Sequence, residues 1–243
     1  VTGALCIILG RAGSKGVAGK NARPVAGRPC IAWTIDHARS ARAVGAIAVS
    51  TDGEQIAQAA REAGAEVLAR SEHTAHDRAT VDDAAREALD AWESRHGALA
   101  DAHPVVILYA NVPVRPPGLI DRALDLLRAT GCHSVQSYAP VGKHHPWWTV
   151  RVGEDGALRP WEGDVLFHNC FRRQDLPPAH VPDGGVIALQ KRALTLQLPG
   201  VAPGPHAFFG SDRRAIISPE GSVVDIDSEI DLLVADALLR QRP

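Results

Sequence analysis

Short apolar runs alternate with stretches of helical period through the first 140 residues, and this alternation fixes the layer architecture. Ala4–Leu9, Ala46–Ser50, Glu66–Ala69, Pro104–Tyr109 and Ser134–Tyr138 read as strands. Pro29–Ser40, Glu54–Ala63, Val81–Arg95 and Leu119–Ala129 read as the helices between them. Strands alternating with helices of about a dozen residues predict an α/β fold, a Rossmann-like, doubly wound and mostly parallel sheet. Ligands of such sheets bind beyond the carboxyl ends of the strands. Three loops at those ends carry chemistry: residues 10–21, Ser50–Gly53 and Asn111–Arg115.

From 139 to 182 the texture changes to Pro, His, Trp and Arg with little helical period. This stretch reads as an inserted arm or lid within a single domain spanning 1–243. Beyond it, Gly184–Leu189, Arg214–Ile217 and Val223–Asp227 read as strands. Ser228–Arg240 reads as a closing helix with Ser228 as its cap. A hydrophobic content of 45% supports a packed core, and a net charge of −2 gives no basic face for nucleic acid. The four cysteines are far apart, with no zinc spacing or disulfide framework. No leader and no membrane-spanning run are visible, so a cytoplasmic location is expected.

The first loop, Arg11-Ala-Gly-Ser-Lys-Gly, follows a buried strand and is extended by Lys20 and Asn21. Its spacing is neither that of a P-loop nor of G-x-G-x-x-G. Glycine backbone donors beside Arg11, Lys15 and Lys20 suit a polyphosphate better than a structural turn does. Gly13 and Ser14 belong to that cradle. Near the other end, Val-Val-Asp-Ile-Asp-Ser places Asp225 and Asp227 two residues apart, on one side of an extended chain. Two close carboxylates repel unless a cation lies between them. Mg²⁺ takes one or two carboxylates together with phosphate oxygens and water. Asp231 reads as a first-turn helix acid. Asp52 reads equally as a turn residue or a ligand contact, and Arg115 equally as an anion contact or a surface residue. Lys143 to Trp148 and Phe171 to Gln174 combine cations and aromatics, which suits an acidic small molecule or a subunit interface. The histidines, His206 among them, read as packing or surface groups.

In this order the motifs resemble the cytidylyltransferase family of CMP-sialic acid (acylneuraminate) and CMP-Kdo synthetases. The resemblance rests on Arg11 to Gly16 with Lys20-Asn21 and Gly27-Arg28-Pro29. Ser50-Thr51-Asp52, Arg173 to Pro178 before Asp183-Gly184-Gly185, and Asp225-Ile226-Asp227 with Asp231 complete it. It implies transfer of CMP from CTP to an acidic acceptor, with Mg²⁺ and release of pyrophosphate. It further implies that Arg11, Ser14 and Lys15 grip the triphosphate with help from Lys20. Asn21, Arg70 and Thr80 would then lie near the cytidine, Asp225 and Asp227 would hold metal, and Lys143, Arg172 and Arg173 would face the acceptor. A homodimer is implied, with the arm reaching its partner.

Two departures concern the acceptor. Asn111-Val-Pro-Val-Arg-Pro-Pro replaces the usual Gln-Pro-Thr-Ser-Pro-Leu-Arg, and Asp183-Gly-Gly replaces Asn-Gly-Ala. Asn111 and Arg115 therefore stand as candidate acceptor contacts. The acceptor is expected to be a sialic-type sugar acid, with a small phosphonate such as phosphonoformate as the alternative. Rival readings are a pyrophosphorylase using another nucleotide and a nucleotide-binding domain without turnover.

Overall fold

The first apolar run forms β1 (Ala4–Leu9), buried along its whole length. Alternate side chains of a strand point to opposite faces, and here both faces are covered. Cys6 and Ile8 enter one core with Ile31, Ile35, Ile56 and Leu124. Leu5 and Ile7 enter another with Leu68, Leu89, Trp92 and Phe208. This double burial explains why the run shows no polar alternation.

The computed structural model describes residues 2–13, 16–76 and 79–241. After β1 comes a small hairpin, β2 (Pro24–Val25) and β3 (Arg28–Pro29), leading into α1 (Cys30–Ser40). Then follow β4 (Val44–Thr51), α2 (Glu54–Glu62), β5 (Glu66–Ala69), α3 (Glu72–Ala75), α4 (Val81–His96), β6 (Pro104–Tyr109), α5 (Leu119–Thr130) and β7 (Ser134–Pro140). The arm contains short turns and the hairpin β8 (Val150–Val152) and β9 (Leu158–Pro160). The chain returns through β10 (His180–Gln190), α6 (Lys191–Leu194), β11 (Arg213–Ile217) and α7 (Glu229–Arg240).

The central sheet has seven strands in the order β11-β7-β10-β6-β1-β4-β5. Its neighbours pair in parallel except for β10, which runs antiparallel to both β6 and β7. The expected doubly wound, mostly parallel architecture is what forms. Local chemistry sets the helix ends. Thr80 caps α4 by accepting from the Asp83 N–H at 3.2 Å. Ser228 and Asp231 form a reciprocal capping box on α7.

Two elements differ from their sequence reading. Residues 223–227 do not form a strand: Val224 makes one isolated bridge to Val114. The neighbour there is the loop after β6, and a loop offers no continuous ladder. β10 begins at His180 instead of 184, because its polar first half pairs with the extension of β7 through Pro140. Beside the carboxyl ends of β1 and β6 lies a third apolar cluster, in which Val17, Cys30, Val114, Val224, Ile226 and Leu232 pack together. It joins the first loop to the chain's last quarter.

Candidate active site

Because β6, β1 and β4 are adjacent, the loops that follow them meet. The Ala12 N–H donates to Asp52 Oδ1 at 2.8 Å. The Ile226 N–H donates to the Asn111 carbonyl at 2.9 Å. Gly16 lies so close to the last segment that a Cβ there would collide with the Asp227 carbonyl oxygen. Glycine is therefore required at 16 by close approach, independently of any ligand.

These contacts enclose a cleft of about 350 Å³ lined by Arg11, Lys20, Asn21, Arg70, Thr80 and Asp227, with Tyr109 and Asn111 on its inner wall. Asn21 is buried; its Nδ2 donates to the Arg11 carbonyl at 2.8 Å, while its Oδ1 has no partner among the described residues. Arg70 Nε donates to the Thr74 carbonyl at 2.8 Å. Burial pulls the Arg70 pKa down, opposed by Asp52 and Glu87. The cleft thus gathers Arg11, Lys20 and Arg70 opposite a carboxylate edge, a charge arrangement suited to a metal-bound polyphosphate. Gly13 is exposed, with open space where a Cβ would stand. Ser14 and Lys15 lie outside the described residues.

The carboxylate edge is tightly organised. Asn111 Nδ2 donates to Asp225 Oδ1 and, at 3.2 Å, to the Ile226 carbonyl. Lys20 Nζ donates to Asp227 Oδ1 at 2.6 Å and to the Ile226 carbonyl at 2.8 Å. Burial, reinforced by the Asp227 charge, pushes the Asp225 carboxyl up to about 6, although Lys20 and Arg115 pull the other way. Asp231 Oδ2 accepts from the Asp227 and Ser228 N–H groups, which holds the turn. Among the described residues no group of three or more His, Cys, Asp and Glu is arranged to hold a metal. The donor set is two carboxylates beside a phosphate-sized cleft, with an ammonium standing in as the cation. That set fits Mg²⁺, which completes its shell with phosphate and water, and does not fit a closed structural site.

Arg115 requires a correction. It is 1% exposed. Its Nε donates to the Gly185 carbonyl at 2.6 Å, Nη1 to Thr34 Oγ1 at 3.0 Å and to the Val112 carbonyl, and Nη2 to the Tyr109 carbonyl at 3.1 Å. It is a buried clamp beneath the site and does not present its guanidinium to an acceptor. Asn111 likewise engages Asp225 with its amide donor. Lys143 is exposed on the arm, Arg172 pairs with Asp175 at 2.6 Å, and Arg173 pairs with Glu220 at 2.5 Å. None of these three lines the cleft.

Sequence reasoning missed a second cavity, of about 650 Å³, that shares Thr80, Val81 and Tyr109 with the first. Its far wall carries His206, Phe208, Phe209 and Arg213. Arg213 lies over the Phe209 ring at 5.6 Å and donates to the His206 carbonyl at 3.1 Å. His206 is therefore part of a cavity wall and not only a surface group. The signal was present in Pro205-His-Ala-Phe-Phe, an aromatic cluster in a stretch with no periodic element. Burial pushes the Cys6 and Cys30 thiols up to about 12, away from the thiolate that nucleophilic chemistry needs.

A family model described as cytidylyltransferase matches residues 5–145. The chain belongs to that family. The CMP-N,N'-diacetyllegionaminic acid synthase of Legionella pneumophila is 37% identical over 238 residues, covering 97% of this chain and 95% of the relative. The N-acylneuraminate cytidylyltransferase of Streptococcus agalactiae is 28% identical over 94% of this chain. The chain spans about half of that relative's length, 51%. Among solved structures, CMP:2-keto-3-deoxy-manno-octonic acid synthetase complexed with CTP superimposes with a TM-score of 0.68. That alignment has 18% identity and covers 98% of this chain and 99% of the other, a likeness of fold. As a cytidylyltransferase the protein is a nucleotidyltransferase enzyme. No described helix is long and apolar enough to cross a membrane.

Proposed function

We propose that this cytidylyltransferase transfers CMP from CTP to a sialic-type sugar acid, releasing pyrophosphate. The observation that carries the reading is the shared wall of Thr80, Val81 and Tyr109 between a cation-lined cleft and an aromatic-lined cavity. CTP would occupy the first, with Arg11, Lys15 and Lys20 along the triphosphate and Asn21, Arg70 and Thr80 near the cytidine. The acceptor would occupy the second, with its carboxylate within reach of Arg213 and its apolar parts against Phe208 and Phe209. Its hydroxyl would then attack the α-phosphorus in line, and the protein's contribution is positioning and charge stabilisation. Asp225 and Asp227 would hold Mg²⁺, which when bound offsets the charge of the triphosphate. The names of the relatives support a sugar acid over a phosphonate.

The arm supports a homodimer. Phe171 is 83% exposed and Val152 67%, with Trp161 and Leu158 also largely in solvent. Apolar side chains clustered on one insertion mark an interaction surface. In a dimer, Lys143, Arg172 and Arg173 would reach an acceptor cavity of the partner or its approach. Sedimentation analysis should give a dimer, and Phe171→Asp should shift it towards monomer.

The deciding experiment measures pyrophosphate release with each of the four nucleoside triphosphates, Mg²⁺, and a panel of sialic-type and legionaminic-type acids, Kdo and small phosphonates. Release is expected with CTP and a nine-carbon sugar acid. Inactivity with CTP alone among the nucleotides, or release with phosphonates only, would sink the reading.

A further inference from the structure

Lys20 lines the cleft together with Asp227, yet its ammonium is drawn down onto the carboxylate edge. It lies 2.6 Å from Asp227 Oδ1 and 2.8 Å from the Ile226 carbonyl. The lysine side chain is 17% exposed, whereas that of Asp227 is 75% exposed. The aspartate therefore has a face open to the cleft while one of its oxygens is already neutralised. The geometry of this edge is fixed from behind. Asp231 holds the Asp227 N–H at 3.1 Å, and Gly16 leaves no room between the first loop and the Asp227 carbonyl. A single ammonium thus sits on Asp227, with the half-buried Asp225 carboxylate near enough to feel the charge of both. A divalent cation neutralises such an edge better than an ammonium does. An ion pair with so exposed a partner is weak enough to exchange.

We propose that Lys20 is an exchangeable place-holder on Asp227: a divalent cation arriving at that carboxylate displaces the ammonium and releases it to the triphosphate. The inference rests on the CTP and metal reading above and adds an order of events to it. Lys20 and metal compete for Asp227 when nucleotide is absent, and cooperate once the phosphates are present. No bond is made or broken in the exchange; two ionic contacts are traded.

Mn²⁺ binding, followed by electron paramagnetic resonance without nucleotide, tests the competition. Lys20→Met should bind Mn²⁺ about three- to fivefold more tightly than the unaltered protein, the factor set by loss of one exposed ion pair. A lysine that only grips triphosphate would leave nucleotide-free binding unchanged, and unchanged or weaker binding overturns the exchange. The unaltered protein supplies a second readout. Acetic anhydride labelling of Lys20, quantified by peptide mass spectrometry, should rise with Mg²⁺ alone and fall with Mg²⁺ and CTP together. No rise with Mg²⁺ alone overturns the exchange even if Lys20→Met fails to fold. Asp227→Asn separates the two levels: if it binds Mn²⁺ as well as the unaltered protein, the metal assignment itself fails.

Discussion

Replacing Asp225 by Asn should stabilise the metal-free protein while abolishing its turnover. The Asp225 carboxyl is pushed from 3.8 to about 6 by burial and by Asp227. The folded protein therefore holds this proton more tightly than the unfolded chain. Stability from this site is fully present below about pH 3.8 and is lost as pH rises through about 6. The difference between the two values bounds the penalty at neutral pH to about 3 kcal/mol. Asp225 keeps partial contact with water, so about 1–2 kcal/mol is the expected gain from Asn. For a chain of this size that is a rise of about 2–8 °C in Tm. The Asn111 amide can still donate to the new side chain's oxygen, so no hydrogen bond need be lost. Thermal unfolding in chelator at pH 8 and pH 5 measures the effect. The gain at pH 5 should be about half that at pH 8, because the acid already protonates part of the native carboxyl. Turnover with CTP and Mg²⁺ should fall by about 100-fold or more, since an amide binds Mg²⁺ poorly in place of a carboxylate. An unchanged or lower Tm at pH 8, or an equal gain at both pH values, would refute the electrostatic reasoning.

Three further substitutions separate structural from substrate roles. Arg115→Leu should cost about 3 kcal/mol or more in chemical denaturation, because the carbonyls of Gly185, Val112 and Tyr109 lose a buried charged donor; a raised acceptor KM with unchanged stability would restore an acceptor-binding role. Gly16→Ala should lower kcat/KM for CTP about 10- to 100-fold by displacing the first loop from Asp227, as steady-state pyrophosphate release would record. Arg213→Ala should raise the acceptor KM about tenfold or more while leaving the KM for CTP unchanged; the reverse pattern would move the acceptor out of the second cavity.

The parts of the fold legible in the sequence are those whose burial is uniform. Pro104–Tyr109 was bounded to the residue because an apolar run covered on both faces has no competing period. The closing helix was equally clear, since Ser228 and Asp231 supply its start chemically. β10 was legible only from Gly184 onward. Its first residues, His-Val-Pro-Asp, carry no apolar period, and their conformation comes from pairing with β7. Residues 223–227 failed in the opposite way. Their alternation of apolar and acidic residues is strand-like, but a ladder needs a partner strand, and the sheet offers only the loop at Val114. What survives of that reading is the part that matters for chemistry: Val224 and Ile226 are buried, Asp227 lines the cleft, and Asp225 lies behind it on the Asn111 amide.

Residue type shows a cation in the right loop, but not the depth at which its charge comes to rest. Lys20 and Arg115 both follow central strands, and both carry positive charge towards Asp225. Lys20 reaches its partners from the cleft side across 207 positions of sequence. Arg115 lies beneath the site and has a different set of partners, with its donors on three carbonyls and a threonine. The distinction follows from packing. Proline on both sides of Val114-Arg115 and the burial of Val112 and Val114 pull that segment inward, whereas Lys20 stands among small, polar loop residues. A buried arginine below and an exchangeable lysine above leave Asp225 under positive potential from both sides, and its carboxyl is still raised. Burial is the first cause of that rise, so the two cations do not offset the cost of enclosing the carboxylate, and the proposed divalent cation would add the positive charge the edge lacks.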